Sequence, residues 1–352
     1  MLCLLSVVDI DISFCRERVT SWIDTNTNQP YLAYAPHLLN INSPITRKTR
    51  CVAVRALKGL ESVIDLVVTH PTWQRTRPEN ADDPHCGWAF YDSSDANRIP
   101  LIPPGGTEAI DAKDCNLFTF ADKKFQFVRD LYEHYGEGYS GVNSVPILYD
   151  RETKSIVSNE SSEIIRMLGE AFDDFATVNA TENYYPAELK DEIDTANEWI
   201  YSGINNGVYK CGFAKTQEAY NDSVDELYVC LDRLEEILSQ SRFVCGASSD
   251  GGSRLTEADI RLYMTLARFD EVYVVYFKCN KKRIADYHNI LNYCRDLHQI
   301  HGGAIGKTIN MDHIKTHYFT SHQVLNPYAV IPAGPNFEAE LLKTPEGRTD
   351  KK

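Results

Sequence analysis

Two short runs carry residue types that could capture a small charged peptide. Ser144-Val145-Pro146-Ile147-Leu148-Tyr149 places a proline at the start of an apolar strand, and Ser158-Asn159-Glu160-Ser161-Ser162-Glu163-Ile164-Ile165 opens a helix. Proline removes a ladder donor, so it belongs at a sheet edge or in a special turn, often cis. Beside it, Val145 can offer backbone N–H and C=O to an extended peptide that pairs as an added strand. The start of the next helix supplies N–H groups, the positive end of the helix dipole and the Ser161 hydroxyl, all of which favour an anion, while Glu160 can face an ammonium. A ligand with both charges at one end fits this pattern, and the γ-glutamyl end of glutathione is such a group. An ordinary capped helix after a proline-marked strand accounts equally well for the same residues.

The chain that must position these groups has 352 residues, enough for two hydrophobic cores. Its 36 basic and 50 acidic residues give a net charge of −14, which opposes a phosphate backbone and argues against nucleic acid as a partner. No apolar stretch approaches the roughly 20 residues that span a bilayer. Met1 to Val8 is apolar but lacks a basic leader and a small-residue cleavage site. The expectation is a cytoplasmic chain without a membrane partner. The 10 cysteines include no Cys-x-x-Cys pair and no compact His/Cys spacing, so reduced thiols and no metal are expected.

Hydrophobic periodicity divides the chain into an α/β part followed by an all-α part. Tyr31 to Tyr34 reads as a short strand, Arg50 to Leu57 as a helix and Val63 to Val68 as a β-branched strand, a β-α-β start. His70 to Asn143 is irregular, with a helix expected at Lys124 to Tyr135. Beyond Pro186 the pattern is helical. Glu188 to Ile200 and Gln217 to Ser239 are expected helices, the second carrying a stripe of Ala219, Val224, Leu227, Leu231, Leu234 and Leu238. In Leu255-Thr256-Glu257-Ala258-Asp259-Ile260, Thr256 and Asp259 form a capping pair and Leu255 can staple against Ile260. The tail from Asn326 reads as loop and frayed end. The layout is an extension over 1–30, an α/β domain over 31–175 with an insertion at 70–143, a helical domain over 188–325 and a tail over 326–352.

Several longer runs carry a family signal. They include Arg55-Ala56-Leu57-Lys58-Gly59-Leu60, His70-Pro71-Thr72-Trp73-Gln74-Arg75-Thr76-Arg77-Pro78 and Cys86-Gly87-Trp88-Ala89-Phe90. Ile204-Asn205-Asn206-Gly207-Val208-Tyr209-Lys210 and Ile309-Asn310-Met311-Asp312-His313-Ile314-Lys315 belong with them. With these runs the chain resembles the glutathionyl-hydroquinone reductases, the Xi class of glutathione transferases and relatives of the omega class. The resemblance implies a thioredoxin-like N-terminal glutathione-binding domain, an all-helical glutathione-transferase C-terminal domain and a homodimer. It implies glutathione as co-substrate and a quinone or hydroquinone-type aromatic as substrate. By the same resemblance Val145 and Pro146 hold the cysteinyl backbone of glutathione, Glu160 and Ser161 its γ-glutamyl end, and Trp88 packs over the ligand. Tyr209, Tyr273 and Tyr318 then line the aromatic pocket, where a ring can stack while its hydroxyl reaches a phenolic oxygen. Taken without the family, Trp88 reads as an ordinary core tryptophan.

The pattern breaks at the nucleophile. Family members carry Cys-Pro-Trp-Ala-His-Arg at the start of the first helix, and this sequence has no such run. A gapless alignment sets Ile45 at the cysteine position, and a small shift sets Ser43-Pro44 there instead. The family chemistry needs a thiolate that attacks the thioether sulfur and releases the hydroquinone. The resulting protein–glutathione disulfide is resolved by a second glutathione, giving oxidised glutathione. Serine forms no disulfide, although Ser43 at a helix start could activate glutathione's own thiol. Arg47, Lys48 and Arg50 either help hold that thiolate or form a solvated surface, and Cys51 reads as a packing residue. Three readings stay open: a misread N-terminal segment over residues 1–49, a glutathione-binding paralogue without the reduction step, or a serine-type conjugating transferase.

Overall fold

The computed structural model describes residues 3–7, 46–120, 123–135, 139, 141–151, 153–246 and 254–348. Two units form: Met1–Thr181 with Asp312–Ile331, and Glu182–Met311 with Pro332–Lys352. The first is built on a sheet of β1 (Cys3–Val7), β2 (Ile64–Val68), β3 (Ile147–Asp150) and β4 (Ser155–Ser158), in the spatial order β2-β1-β3-β4. Strand β3 is buried along its whole length, as the apolar Ile147, Leu148 and Tyr149 of a central strand require. The strand expected at Tyr31 to Tyr34 lies outside the described residues. The sheet takes in Cys3–Val7, within the residues expected to form an extension. This strand runs parallel to β3, with Leu4 opposite Ile147, and antiparallel to β2, with Cys3 opposite Val68. Strands flanking the helix of a β-α-β unit are parallel, so β1 and β2 do not form one.

Helix α1 (Thr46–Leu57) lies between those strands and packs on α3 (Ser161–Glu170), the helix after β4. Its Val52, Ala53, Val54 and Leu57 are buried, as are Ile164, Ile165 and Leu168 of α3. Arg55 pins its C-terminal turn by donating from Nε to the Ile64 carbonyl at 2.6 Å. Gly59 ends the helix at φ +63°, a conformation in which a Cβ would collide with Thr177. The insertion is mostly irregular and carries α2 (Val128–Tyr135), whose Val128, Leu131 and Tyr132 face the interior.

The second unit is helical: α4 (Lys190–Ile200), α5 (Gly207–Phe213), α6 (Gln217–Gln240), α7 (Glu257–Arg268) and α8 (His288–Gly303), the last leaving helical angles at Ile300. The expected stripe on α6 is buried from Val224 to Leu238, whereas Ala219 is exposed. Every residue of α7 except Arg261 is buried, and its start is tied by Asp259, which accepts from the Thr256 N–H at 3.0 Å and the Thr256 hydroxyl at 2.8 Å. The tail is loop over residues 326–337, as expected, but it does not then fray: a short helix, Glu338–Leu341, follows. Its residues from Pro332 belong to the second unit, Phe337 and Leu341 are buried, and the guanidinium of Arg348 donates to the Leu238 carbonyl at 3.1 Å.

Asp270 also caps within this unit, accepting from the Ile284 and Ala285 N–H groups at 2.7 and 3.0 Å. Burial raises its carboxyl to about 6, against the pull of those two donors. A raised carboxyl favours the folded state most where it is protonated, so its contribution is greatest near pH 4 and is lost as pH rises through 6. The stability of the unaltered protein relative to Asp270→Asn is therefore expected to grow by about 2 kcal/mol between pH 7 and pH 4. Urea unfolding of both proteins across that range checks it; a constant difference rules out Asp270 as the titrating group.

Candidate functional site

Helix α1 and the start of α3 bring the charged groups of the first unit together. Glu160 precedes α3 in an extended conformation, and its Oε1 accepts from the Ser162 N–H at 3.3 Å and the Ser162 hydroxyl at 3.1 Å. Arg50 reaches across from α1. Its guanidinium donates to the Ser161 hydroxyl and lies 3.8 Å from Glu160 Oε1. The Glu160 side chain is 46% exposed and Ser161 only 1%, so Glu160 forms the outer wall of this cluster. Cys51, buried as expected of a packing residue, points its thiol at the Ser161 carbonyl 3.6 Å away.

The second half of the site is the chain entering β3. The Val145–Pro146 peptide is cis, and Val145 is buried just ahead of the strand. Tyr132 on α2 donates its hydroxyl to the Ser144 carbonyl at 2.8 Å, fixing the residue before Val145.

A third group surrounds Trp88. Lys48 holds its ammonium 3.3 Å from the indole centroid, and His317 stacks against the indole at 4.5 Å and 22°. His317 belongs to α9 (Met311–Ser321) and bonds the Pro71 carbonyl through Nδ1 at 2.7 Å, so that nitrogen carries the proton. Burial holds its imidazole well below the ordinary range, with the neighbouring His322 and Lys48 adding to the effect. A neutral, anchored imidazole is thus a fixed plate behind Trp88. Tyr318 lies next in sequence, buried, 5.8 Å from the His317 ring.

Tyr209 and Tyr273 are in the second unit, where their rings lie 6.0 Å apart and Phe277 packs on both. Tyr209 comes shortly after the π-helical turn Tyr201–Asn205 and Tyr273 closes the π-helical turn Phe269–Tyr273; the Thr265 hydroxyl donates to the Asn205 side-chain oxygen at 2.8 Å. Such bulges often mark working sites because they re-aim side chains on a helix.

The first unit therefore gathers Glu160 and Ser161 in one cluster and Trp88 and Tyr318 in another, with α1 contributing Arg50 to the first and Lys48 to the second. Val145 and Pro146 stand at the head of β3. Ser43 and Ile45 lie outside the described residues. Lys48 and Arg50 are buried, not a solvated surface. Sequence reasoning missed the part of His317, whose partner Trp88 is far away along the chain. Among the described residues no cluster of His, Cys, Asp and Glu could hold a metal ion, and no helix is long and apolar enough to cross a membrane.

A profile described as "Glutathione S-transferase, C-terminal domain" matches residues 217–296. Glutathionyl-hydroquinone reductase YqjG from Escherichia coli is 43% identical over 301 residues, covering 85% of this chain and 78% of that protein. The chain belongs to the glutathionyl-hydroquinone reductases. Glutathione-bound YqjG from Escherichia coli K-12 superposes with a TM-score of 0.71 at 41% identity, covering 86% of this chain and 85% of that one. Glutathione transferase Xi 1 from Trametes versicolor gives 0.69 at 36% identity, covering 96% and 92%. As a member of that family the chain is a glutathione-transferase-family enzyme with a thioredoxin-like domain followed by a helical one. Within that family it departs at Cys-Pro-Trp-Ala-His-Arg, which its sequence lacks.

Proposed function

We propose that this protein binds glutathione and acts on glutathionyl-hydroquinones, releasing hydroquinone and oxidised glutathione, in the cytoplasm and as a homodimer. The observation that carries the reading is the Arg50–Ser161–Glu160 cluster at the start of α3, a paired cation, hydroxyl and carboxylate suited to an amino acid head group. In this reading residues 31–175 hold glutathione, with Val145 and Pro146 on its cysteinyl backbone and Trp88 over it. In the helical part, residues 188–325, Tyr209 and Tyr273 are the groups that meet the aromatic. The α-carboxylate of the γ-glutamyl end takes the Ser161 hydroxyl and Arg50, and its ammonium takes Glu160.

Turnover requires a thiolate, and Cys51 does not supply it: the thiol is fully buried and directed at the Ser161 carbonyl. That observation favours a second reading, a paralogue that holds glutathione and has lost the reduction step. Incubation with a glutathionyl-hydroquinone separates the two. Release of hydroquinone above background, with a glutathione adduct on the protein by intact mass, supports the enzyme; retention on immobilised glutathione without either supports the binding protein. Ser161→Ala is expected to weaken retention by about 1.5–3 kcal/mol through loss of a charge-assisted hydrogen bond. Unchanged affinity in that variant places the ligand elsewhere.

A further inference from the structure

Asn159 sits between β4 and Glu160, and its side chain turns back towards the loop that precedes β3. Its Nδ2 lies 2.9 Å from the Tyr132 hydroxyl, 3.2 Å from the Tyr139 hydroxyl and 3.3 Å from the Ser144 hydroxyl. The direction of these bonds is fixed by their neighbours. Tyr132 spends its proton on the Ser144 carbonyl and Tyr139 spends its own on the Val142 carbonyl at 2.6 Å, so both phenolic oxygens accept and Asn159 must present its NH2. Burial raises the Tyr132 phenol, which keeps that proton in place at neutral pH. The two phenol rings are themselves stacked at 4.7 Å.

The consequence is a closed strut. One end is covalently joined to Glu160 and Ser161, the other to Val145 and Pro146. The β3–β4 ladder ends with Leu148 opposite Ser158, and beyond it both segments are loop, so the spacing of Val145 from Glu160 is carried past the ladder by the strut. We propose that Asn159, braced by Tyr132, is a positioning residue that sets the distance between the backbone edge at Val145 and the charged head-group site at Glu160 and Ser161. It deepens the glutathione reading above and rests on it. A tripeptide held at two points binds well only when their spacing is correct before it arrives, since an error of about 1 Å forfeits most of the benefit of preorganisation.

The test is the glutathione dissociation constant, measured by calorimetry well below the unfolding temperature, for the unaltered protein, Asn159→Ala, Tyr132→Phe and the double variant. Tyr132→Phe keeps the buried ring and removes only the hydroxyl, so it guards against a folding failure of Asn159→Ala. Each single variant is expected to bind glutathione about tenfold more weakly, and the double variant no more weakly than about twofold beyond Asn159→Ala, because both changes break one strut. A structural role alone lowers the unfolding midpoint and leaves the dissociation constant in place. Binding like the unaltered protein in Asn159→Ala, or independent additive losses in the two variants, overturns the proposal. If the unaltered protein binds no glutathione, the glutathione reading itself fails and takes this inference with it; if it binds and Ser161→Ala weakens it while Asn159→Ala does not, only the strut is lost.

Discussion

Ser43→Cys is expected to raise glutathionyl-hydroquinone turnover by about a hundredfold or more over the unaltered protein. The argument is chemical. Attack on the thioether sulfur transfers glutathione to the nucleophile as a disulfide, and the electron pair of the broken carbon–sulfur bond leaves with the aromatic ring, which is then protonated to the hydroquinone. A second glutathione thiolate displaces the protein thiolate and carries the oxidation away as a disulfide. A hydroxyl takes neither step, whereas a thiol held at the start of α1 would have the positive end of that helix to stabilise its thiolate. Lys48 and Arg50 sit on the first two turns of the same helix and add positive charge. Hydroquinone release by chromatography, together with a single glutathione adduct on the peptide containing residue 43, is the measurement. Ile45→Cys is the control for the gapless alignment. If neither variant rises above background or acquires glutathione, the family's nucleophile position does not map to residues 43–45. If the unaltered protein already turns over at the rate of Ser43→Cys, a different group supplies the thiolate.

What the sequence revealed divides by the reach of the interaction. The start of α7 was legible because Thr256 and Asp259 answer each other three residues apart, and α6 because its stripe repeats at helical spacing. The proline at 146 was legible for the same reason, being a constraint on its own peptide bond, which is cis. Charges were not. Lys48 and Arg50 read equally as a solvated face until Trp88 and Ser161 were found beside them, and nothing near position 50 announces a partner at 161. Arg348 is the extreme case: a basic residue near a polar end turns out buried, donating to the Leu238 carbonyl in the last turn of α6. Strand β1 escaped notice because its apolar run Cys3–Val7 has neither alternation nor a turn signal tying it to β2 or β3.

Asp259→Ala is expected to destabilise the helical unit by about 3–5 kcal/mol. Besides the two bonds from Thr256, the carboxylate accepts from the Val244 N–H at 2.8 Å and from the Tyr293 hydroxyl at 2.9 Å. It thus joins the start of α7 to the chain after α6 and to α8. The residue is fully buried, and burial raises its carboxyl in spite of those four donors. Alanine leaves the buried Thr256 N–H and the partly buried Val244 N–H without that acceptor, and an orphaned buried donor costs more than its bond contributes. Against a total stability of roughly 5–15 kcal/mol, a loss of that size lowers the unfolding midpoint by about 10 °C. Tyr293→Phe removes only one of the four donors and keeps the ring, so it is expected to cost about 1 kcal/mol. Thermal and urea unfolding of both variants decide the matter: a loss below 1 kcal/mol in Asp259→Ala means that water or a shifted backbone satisfies the orphaned donors. A loss equal to that of Tyr293→Phe means that the tyrosine bond alone holds the junction. The expected excess of the alanine variant over the phenylalanine one measures the capping of α7 and the tether to Val244 together.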